Sequence, residues 1–299
     1  MKVTIVGGAG GVGASTAFNL VLMQGGHEVV VADSRPEMIT SHVMDLEQVL
    51  EQVPGCSVRE GELGDVPDAD VVVLLSATPL TVGTSRLEYL ERNALIADEL
   101  VGRFPAGWDG VILVVTNPVD PLVTRMQRRT GLDRRRVLGY TLNDSLRLRT
   151  GLAKAFGVPP GSVDAWSLGE HGDTSVPLYS RVYIDGAQVH PTAEQRTAAE
   201  DYLRNWYVRH VALDSGRSST WTSGLGVARM ITALGGVGEL WPASLMLDGE
   251  YGIADVAVTV PVTLGTGGAE QIHEWELGAG ELDALHASAE FVRAAVARI

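Results

Sequence analysis

The chain of 299 residues predicts an α/β fold, in which a doubly wound parallel sheet is followed by a mixed α+β half. The first observation is that short, β-branched and continuously apolar segments alternate with helical patterns. Continuous rather than alternating apolar residues are typical of parallel strands covered on both faces. The second is a glycine-rich turn directly after the first segment, and the third is a change of rhythm near residue 142. Strand–helix repetition of this kind favours a doubly wound sheet.

Strands and helices alternate in the first half and mix in the second. Strand candidates of the first half lie at residues 3–6, 28–32, 70–75, 111–115 and, more weakly, 137–139. Helical patterns there lie at residues 11–24, 36–52, 86–103 and 118–130. The second half is predicted to contain a helix near 143–156, strands within 162–189, helices near 192–213 and 223–234, strands and turns around 244–265, and a helix near 281–298. Since one core rarely serves so long a chain, we expect two packed domains, at residues 1–142 and 143–299.

The composition excludes several classes of function. Lys and Arg total 23 and Asp and Glu total 37, so the formal charge is 23 − 37 = −14. This charge argues against nucleic acid or an anionic membrane as the main partner. The single cysteine, Cys56, cannot form an internal disulfide and fits a reducing cytosol. The first strand runs directly into glycines without a cleavable apolar leader, so we expect a soluble cytoplasmic protein.

A glycine-rich turn follows the first predicted strand and opens the first predicted helix. Gly8, Gly10 and Gly13 fit the pattern GxGxxG, while Gly7, Gly10 and Gly13 fit the longer GxxGxxG. Glycines at this place let the backbone turn tightly and let a pyrophosphate approach the positive N-terminal end of the helix. In this strand–turn–helix context the pattern predicts a dinucleotide site of the Rossmann type.

An aspartate at the end of the second predicted strand indicates which dinucleotide is bound. Asp33 follows Gly13 by 33 − 13 = 20 residues. At that spacing an acidic side chain can accept hydrogen bonds from the adenosine ribose and repel a 2′-phosphate. The sequence therefore predicts NAD rather than NADP, although Arg35 would allow some binding of NADP. The alternative interpretation is that Asp33 is only a solvated residue at the end of a strand.

Three polar segments lie where catalytic residues are expected. Residues 116–120 (TNPVD) follow the fourth predicted strand, at the carboxyl edge where open α/β sheets bind ligands. Residues 143–147 (NDSLR) lie at the predicted domain boundary, and residues 168–173 (LGEHGD) place a histidine between glycines and carboxylates. The sequence has no Cys, His and carboxylate cluster with the spacing of metal ligands, so no metal is predicted.

Together these motifs resemble the lactate/malate dehydrogenase family over the whole length of the chain. The matching segments, in family order, are the glycine turn with Asp33, residues 83–86 (GTSR), 116–118 (TNP), Asp144 with Arg147, 169–173 (GEHGD), 219–221 (STW) and 261–265 (PVTLG). GEHGD is the most specific of them. The resemblance implies an NAD-dependent L-2-hydroxy-acid dehydrogenase, with a Rossmann domain followed by a catalytic domain. It also implies a homodimer or homotetramer.

The resemblance gives three of the polar residues specific roles, and their chemistry supports those roles. His171 would exchange the hydroxyl proton of the substrate, because imidazole titrates near neutral pH. Asp144 would orient His171 and stabilise its protonated form. Arg147 would bind the substrate carboxylate through two parallel charge-assisted hydrogen bonds, a geometry that lysine cannot copy. The alternative for Asp144 and Arg147, three residues apart on a predicted helix, is an ordinary ion pair.

Further residues complete the implied site. Arg86, in a loop at residues 79–92 that closes over the substrate, would polarise the substrate carbonyl. Asn117 would bind both the substrate oxygen and the nicotinamide side of the cofactor, and Ser219 matches a hydroxyl position near the substrate methyl group. Asp173 is interpreted as structural. A different class of function is a non-catalytic NAD(H)-binding sensor or structural protein of the same fold, which would bind NADH without turnover.

The sequence departs from the family at the residue that selects the substrate side chain. That residue stands six before the loop arginine and is usually Arg for malate and Gln for lactate. Here 86 − 6 = 80, and the position is occupied by Leu80. A second substrate carboxylate would lack a cationic partner there, and burying an unpaired charge is costly. We therefore do not expect malate or oxaloacetate to be bound in the usual way.

Two substrate classes are compatible with Leu80. An apolar side chain could pack on it, which predicts a branched-chain or aromatic 2-oxo acid and is the interpretation we favour. Alternatively, hydroxyl-rich surroundings could bind a sulfonate, phosphonate or carboxylate group, through Thr78, Thr81, Ser218, Ser219, Thr220 and Ser223. A shift of the loop could also bring another arginine, such as Arg92, into the selecting position.

Overall fold

The computed structural model of the protein describes residues 1–78, 86–215, 218–236 and 238–299, and of Arg86 only the backbone. Strands and helices alternate in its first half, as predicted. The strands are β1 (Lys2–Val6), β2 (Glu28–Ala32), β3 (Ser57–Gly61), β4 (Val71–Leu74), β5 (Val111–Val114) and β6 (Val137–Tyr140). The helices are α1 (Gly11–Leu22), α2 (Pro36–Gln52), α3 (Arg86–Val101) and α4 (Val119–Thr130).

The second half contains more elements, many of them short. Its helices are α5 (Leu142–Phe156), α6 (Ala193–Ala212), α7 (Thr220–Leu234) and α8 (Ala279–Val296). Its short strands are β7 (Val163–Asp164), β8 (Ser167–Leu168), β9 (Val176–Pro177), β10 (Val182–Ile184) and β11 (Ala187–Val189). Its longer strands are β12 (Glu239–Asp248), β13 (Ala254–Gly265) and β14 (Gly268–Ile272). The strand-rich stretch predicted at residues 162–189 thus consists of strands of two or three residues.

The first six strands form the predicted doubly wound parallel sheet. Their spatial order is β6-β5-β4-β1-β2-β3, which is the order of two mononucleotide-binding halves. The register is regular, with Val3 opposite both Val29 and Val71. Since neighbouring strands run in the same direction, their carboxyl ends meet at one edge of the sheet, and the loops that follow them are brought together there.

The sheet continues into the second half, which the sequence analysis did not predict. Strand β12 pairs antiparallel with β6, placing Ala243 opposite Tyr140 and Ser244 opposite Gly139. Strands β13 and β14 extend the sheet further, so that it has nine strands in the described part of the chain. Pairing between segments so far apart leaves no local pattern in the sequence. The division into residues 1–142 and 143–299 stays a prediction, since one sheet runs through both.

Two strands of the sheet were missing from the predicted elements. They are β3 and β14, the two edge strands, whose sequences SVREG and GAEQI are partly exposed and contain charged residues. Edge strands need no continuous apolar run, because only part of their surface is covered. Continuous apolar runs therefore indicate the central strands but not the edge strands.

The hydrophobic core lies on both faces of the sheet. Alternate residues of each strand point to opposite faces. Helices α1, α2 and α7 cover one face. The buried residues there include Ile5, Val31 and Leu113 of the strands and Leu20, Ile39 and Ile231 of the helices. The other face packs under α3 and α4, and its buried residues include Val72, Leu74, Ile112, Ala97, Leu122 and Met126. Among the helices of the described residues, none combines the length and apolar character needed to cross a membrane.

The junction between parallel and antiparallel strands depends on a glycine. A Cβ atom at Gly139 would lie 2.4 Å from Cγ1 of Val119 and 2.9 Å from Cβ of Ser244. We expect Gly139→Ala to lower the free energy of unfolding by about 1–3 kcal/mol through overpacking. Urea denaturation followed by circular dichroism measures this change.

Gly161 provides the matched control for this substitution. A Cβ atom there would meet nothing within 4 Å, so Gly161→Ala should change the free energy of unfolding by less than about 0.5 kcal/mol. Equal unfolding midpoints for the two variants would show that the junction tolerates a side chain and would contradict the prediction.

Candidate active site

The candidate site lies at the carboxyl edge of the parallel strands. The glycine turn follows β1, Asp33 follows β2, and Asn117 comes shortly after β5. Helix α5, which carries Asp144 and Arg147, begins two residues after the end of β6. This topology therefore brings segments that are separated in the sequence to one side of the sheet, where open α/β folds bind ligands.

The glycine turn packs so closely that three of its glycines are required sterically; a Cβ at Gly8 would lie 2.2 Å from Cγ1 of Val31 on β2. Gly7 has a φ of +100°, and a Cβ there would lie 2.3 Å from the main-chain N of Ser76. A Cβ at Gly13 would lie 2.4 Å from the carbonyl oxygen of Gly7. The main-chain N–H groups of Gly7 and Gly8 both donate to the carbonyl of Ala32, which fixes the turn against β2. Gly7 and Gly8 are equally restricted, so these contacts are compatible with both GxGxxG and GxxGxxG.

Gly10 is different, because contacts within the described protein do not require it to be glycine. A Cβ there would meet only the carbonyl oxygen of Gly7, at 3.4 Å, which is close to an ordinary contact. Gly10 immediately precedes α1, whose first turn leaves N–H groups without intrahelical acceptors. A bare backbone beside a helix N-terminus fits the phosphate groups of a dinucleotide. The turn therefore has the form that a pyrophosphate requires.

Asp33 is held between the glycine turn and Arg35. Its Oδ2 accepts a hydrogen bond from the main-chain N–H of Ala9, at 3.1 Å. Its Oδ1 accepts from the main-chain N and from Nε of Arg35, both at 3.2 Å. The carboxylate is thus fixed beside the turn rather than free in solvent, and the guanidinium of Arg35 is turned toward it.

A histidine and two charged side chains of α5 form the centre of the site. Nδ1 of His171 lies 2.6 Å from Oδ2 of Asp144. The other oxygen of the same carboxylate, Oδ1, accepts from Nη1 of Arg147 at 3.4 Å. With Nδ1 engaged, Nε2 of His171 is the nitrogen left to exchange a proton with a ligand. The structure thus brings together three of the residues singled out in the sequence.

The surroundings of His171 favour its protonated form. Burial by itself would lower the pKa of the imidazole, since a charge is poorly solvated there. The charge and hydrogen bond of Asp144, with a further contribution from Asp120, outweigh burial and raise the pKa above its ordinary value. Arg147 acts in the opposite direction because it carries a like charge. The imidazole is therefore suited to give up a proton near neutral pH.

The loop that carries His171 is fixed by its main chain. Gly169 forms a two-way bridge with Thr259 of β13, with N···O distances of 3.0 and 2.8 Å. The N–H of Glu170 donates to Oγ of Ser288 on α8, at 2.7 Å. The N–H of His171 donates to Oδ2 of Asp120 on α4, also at 2.7 Å. Three consecutive residues are thus tied to three different elements, and sequence reasoning gave Asp120 no role.

A tryptophan that the sequence analysis missed lies against Arg147. The guanidinium carbon of Arg147 is 4.4 Å from the centre of the Trp206 ring, within cation–π range. Trp206 also stacks on His210, with the ring centres 5.0 Å apart and an interplanar angle of 11°. Trp206 lies on α6, far from Arg147 in the sequence, so no motif indicates this contact. It restricts the orientation of the guanidinium.

Asn117 is positioned through its main chain by a second residue that the sequence analysis missed. The buried Asn93 of α3 donates from Nδ2 to the carbonyl oxygen of Asn117, at 2.7 Å. Oδ1 of Asn93 accepts from the main-chain N of Thr78, at 2.8 Å. The side chain of Asn117 is exposed at the end of the sheet. The only indication of this role in the sequence is that Asn93 is a polar residue at an otherwise apolar position of the predicted helix.

Part of the predicted site lies outside the described residues. This applies to Leu80 and to the side chain of Arg86. The loop predicted at residues 79–92 is wrong at its far end, because residues from Arg86 onward belong to α3, whose sequence RLEYLER continues a helical pattern. Arg92 lies on that helix and pairs with Glu88 four residues earlier.

Ser219 and its neighbours stand at the beginning of α7. Ser219 immediately precedes the helix, and no contact of its side chain links it to His171 or Arg147 within the described residues. Oγ of Ser223 accepts from Nδ2 of Asn143 at 2.9 Å, a contact that uses the acceptor side of the hydroxyl and not its O–H. In the ranges that the structure describes, no group of three or more His, Cys, Asp or Glu side chains is arranged to hold a metal ion.

The sequence matches a known family in both halves. Residues 1–139 match the NAD-binding domain of lactate/malate dehydrogenases, and residues 141–299 match their α/β C-terminal domain. The chain is 36% identical to a malate dehydrogenase of Halobacterium salinarum, over 97% of this chain and 96% of the relative. It is 35% identical to L-lactate dehydrogenase 1 of Staphylococcus aureus, over 98% of this chain and 95% of the relative.

Solved structures match the fold over nearly the whole chain. A minor L-lactate dehydrogenase from Enterococcus mundtii superposes with a TM-score of 0.91 and 28% identity, covering 100% of this chain and 98% of that one. The malate dehydrogenase from Aeropyrum pernix gives a TM-score of 0.90 and 27% identity, covering 99% and 97%. These matches support the catalytic prediction rather than the non-catalytic alternative. The chain belongs to the lactate/malate dehydrogenase family and is an oxidoreductase that acts on CH–OH groups with NAD.

Proposed function

We propose that this enzyme reduces a small 2-oxo acid to the L-2-hydroxy acid with NADH, and catalyses the reverse reaction with NAD. The observation that carries the proposal is the single carboxylate of Asp144, which contacts both His171 and Arg147. A proton donor and a carboxylate-binding cation are thereby held at a fixed spacing. A 2-oxo acid needs both, since its carbonyl oxygen takes up the proton and its carboxylate needs a charged partner.

The cofactor would be bound by the glycine turn and by Asp33. Gly7, Gly8 and Gly13 shape the turn, while Gly10 leaves the backbone open beside α1. Asp33 would accept hydrogen bonds from the ribose, and its charge supports NAD over NADP because it would repel a 2′-phosphate. The ion pair of Arg35 with Asp33 further supports NAD, since that guanidinium is already engaged. Asn117 would contact the nicotinamide side.

The proposed mechanism uses the side chains as a preorganised set. NADH, when bound, supplies the hydride that reduces the substrate carbonyl carbon. Nε2 of His171 gives its proton to the carbonyl oxygen, and Asp144 stabilises the imidazolium before that transfer. Arg147 holds the substrate carboxylate with two charge-assisted hydrogen bonds, which fixes the face of the carbonyl that is reduced. Arg86 and Asn117 would polarise the carbonyl oxygen.

For the substrate side chain we propose an apolar group that packs on Leu80. The hydroxyl groups offered as an alternative partner are partly engaged within the protein. Oγ1 of Thr220 donates its one O–H to the carbonyl oxygen of Ser218, at 3.3 Å. Fewer hydroxyls are then left for an anionic group. This favours a branched-chain or aromatic 2-oxo acid over a sulfonate, phosphonate or second carboxylate.

A panel of 2-oxo acids tests the function and the substrate class. NADH oxidation at 340 nm would be followed with pyruvate, oxaloacetate, 2-oxoisocaproate, phenylpyruvate and phosphonopyruvate, and each assay repeated with NADPH. We expect the apolar substrates to exceed oxaloacetate in kcat/KM by at least about tenfold, because a second carboxylate lacks a cationic partner at Leu80. NADH should be preferred over NADPH.

Two variants accompany the panel. His171→Asn should bind NADH but lose turnover by about a hundredfold or more, as expected when a general acid is removed. Leu80→Arg should raise activity toward oxaloacetate. Oxaloacetate as the best substrate of the wild-type enzyme, or no gain in Leu80→Arg, would contradict the role given to Leu80.

The contact between Trp206 and Arg147 predicts a specific effect on substrate binding. Trp206→Ala frees the guanidinium and removes a cation–π contact worth about 1–2 kcal/mol. We therefore expect KM for the 2-oxo acid to rise roughly five- to thirtyfold, with KM for NADH unchanged. Steady-state kinetics measure both constants. Trp206→Phe retains an aromatic face and serves as the control, so equal KM values for the two variants would contradict the prediction.

We also propose that the enzyme is a homo-oligomer, with two copies meeting across α1 and α7. Phe18 and Leu22 of α1 and Trp221 and Leu225 of α7 are exposed apolar side chains on two helices that pack together. A cavity of about 480 Å³ runs between these helices and α2 and is lined by both Phe18 and Trp221. Apolar surface of this kind is typical of subunit interfaces.

Cytoplasmic location is likewise proposed, supported by the free thiol of Cys56.

A charge placed on this surface should separate the subunits. We expect Trp221→Glu to shift the protein toward the monomer in size-exclusion chromatography with light scattering, because a carboxylate in an apolar interface loses its solvation. Leu95→Glu is the matched control, since Leu95 and Trp221 are each 68% exposed but Leu95 lies on α3, on the other face of the sheet. If Trp221→Glu keeps the mass of the oligomer, or if both variants become monomeric, the interface does not lie specifically across α1 and α7.

A further inference from the structure

The proposed mechanism leaves one buried acidic residue beside the site unused. Asp120 lies in the first turn of α4, three residues after Asn117, and is only 1% exposed. Its Oδ2 accepts the hydrogen bond from the main-chain N–H of His171, at 2.7 Å. Its Oδ1 makes no hydrogen bond of ordinary geometry among the residues that the structure describes; the hydroxyl of Ser244, which also lacks one, is its nearby polar neighbour. Burying an acid with a single hydrogen bond of ordinary geometry is costly, and that hydrogen bond comes from the main chain of His171.

Asp120 and Asp144 contact His171 from two sides. Asp144, on α5, binds the imidazole ring, whereas Asp120, on α4, binds the main chain. Both carboxylates act electrostatically to favour the protonated ring. The hydrogen bond from the main chain also joins the histidine loop directly to the turn that carries Asn117. The proton donor and the residue that would hold the carbonyl oxygen are therefore positioned by the same helix start.

The protonation of Asp120 is sensitive to its neighbours. Burial raises the pKa of its carboxyl group to about 7, while the hydroxyl of nearby Ser244, the His171 N–H and the imidazolium charge each favour the ionised form. Glu170, in the same loop as His171, acts against ionisation. The charged groups that face the pair from other elements are Asp144 and Arg147 of α5. When Asp120 is ionised and His171 is protonated, the net charge of the four residues Asp120, His171, Asp144 and Arg147 is zero.

We propose that Asp120 is a positioning residue that holds the main chain of His171 and, through its negative charge, supports the protonated imidazole. The proposal rests on the function of His171 as proton donor given above. After the imidazolium has given its proton to the substrate, two carboxylates and one arginine remain around a neutral ring. The resulting excess negative charge favours uptake of the next proton from solvent, which prepares the site for another turnover.

The direct test measures the proton affinity of His171 without requiring activity. Protein labelled with ¹³C-histidine would be titrated by NMR, and the His171 signal assigned from its absence in His171→Asn. Asp120→Asn keeps an oxygen that can accept from the His171 N–H but removes the charge. We expect the pKa of His171 to fall by at least about half a unit, a threefold loss of proton affinity. An unchanged pKa would overturn the electrostatic part of the proposal.

Kinetics give the second readout. The rate of 2-oxo acid reduction requires protonated His171, so it is present below the pKa of His171 and lost as pH rises through it. In Asp120→Asn this loss should move to lower pH by the shift seen in NMR, while KM for NADH stays unchanged. Asp120→Leu also removes the acceptor, and its kcat should fall further than that of Asp120→Asn. Equal kcat values for the two variants would overturn the positioning part.

Asp98→Asn is the control for loss of another carboxylate that contacts α4. Asp98 lies on α3 and pairs with Arg125 of α4, without contact to His171 or Asp144. The substitution Asp98→Asn should leave the pKa of His171 unchanged. If it lowers that pKa as much as Asp120→Asn does, the loss of any carboxylate would have the same effect, and the proposal would be overturned. A wild-type enzyme that turns over none of the 2-oxo acids would refute the proposed function, whereas the NMR titration would still decide the role of Asp120.

Discussion

The hydrogen bond between Asp144 and His171 is the interaction on which the organisation of the site depends. The two residues come from different parts of the chain, one from the start of α5 and the other from the loop between β8 and β9. A distance of 2.6 Å between a buried carboxylate and a ring nitrogen leaves little tolerance for movement of either segment. The surrounding fold must therefore fix both segments. Helix α5 is fixed because it begins two residues after β6, and the loop is fixed because three successive main-chain N–H groups donate hydrogen bonds to other elements.

The extended sheet explains how the second half can hold that loop so firmly. Strand β12 pairs with β6, and β13 pairs with β12, so that Thr259 is placed beside the loop and bridges to Gly169. The parallel strands bring the cofactor turn and α5 to one edge, and the antiparallel strands bring the histidine to the same edge. Helix α4 completes the arrangement, because Asp120 in its first turn accepts the hydrogen bond from the main-chain N–H of His171. Strands from the first and the second half of the chain are thus joined in one continuous hydrogen-bonded sheet.

The sequence was most informative where local chemistry determines structure. The glycine turn, the continuously apolar central strands and the histidine loop could all be predicted, because each requires particular residues at a particular spacing. The polar edge strands β3 and β14 lack such a requirement, and the pairing of β12 with β6 depends on residues far apart in the chain. The contacts of Trp206 with Arg147 and of Asn93 with Asn117 were not predictable for the same reason. The proposal that Leu80 selects the substrate side chain rests on the sequence alone, since Leu80 lies outside the described residues.

Arg147 and His171 meet at the same carboxylate, that of Asp144, and this closeness would link substrate binding to the protonation of His171. The positive charge of Arg147 lowers the proton affinity of His171, so an anion that neutralises Arg147 relieves that effect. Binding of the substrate anion and binding of the proton are then thermodynamically linked, and each strengthens the other by the same factor. A 2-oxo acid that enters the site draws a proton onto the histidine that will donate it. In the proposed mechanism the substrate would therefore help to protonate the histidine that donates to it, and it would bind more tightly at low pH than at high pH.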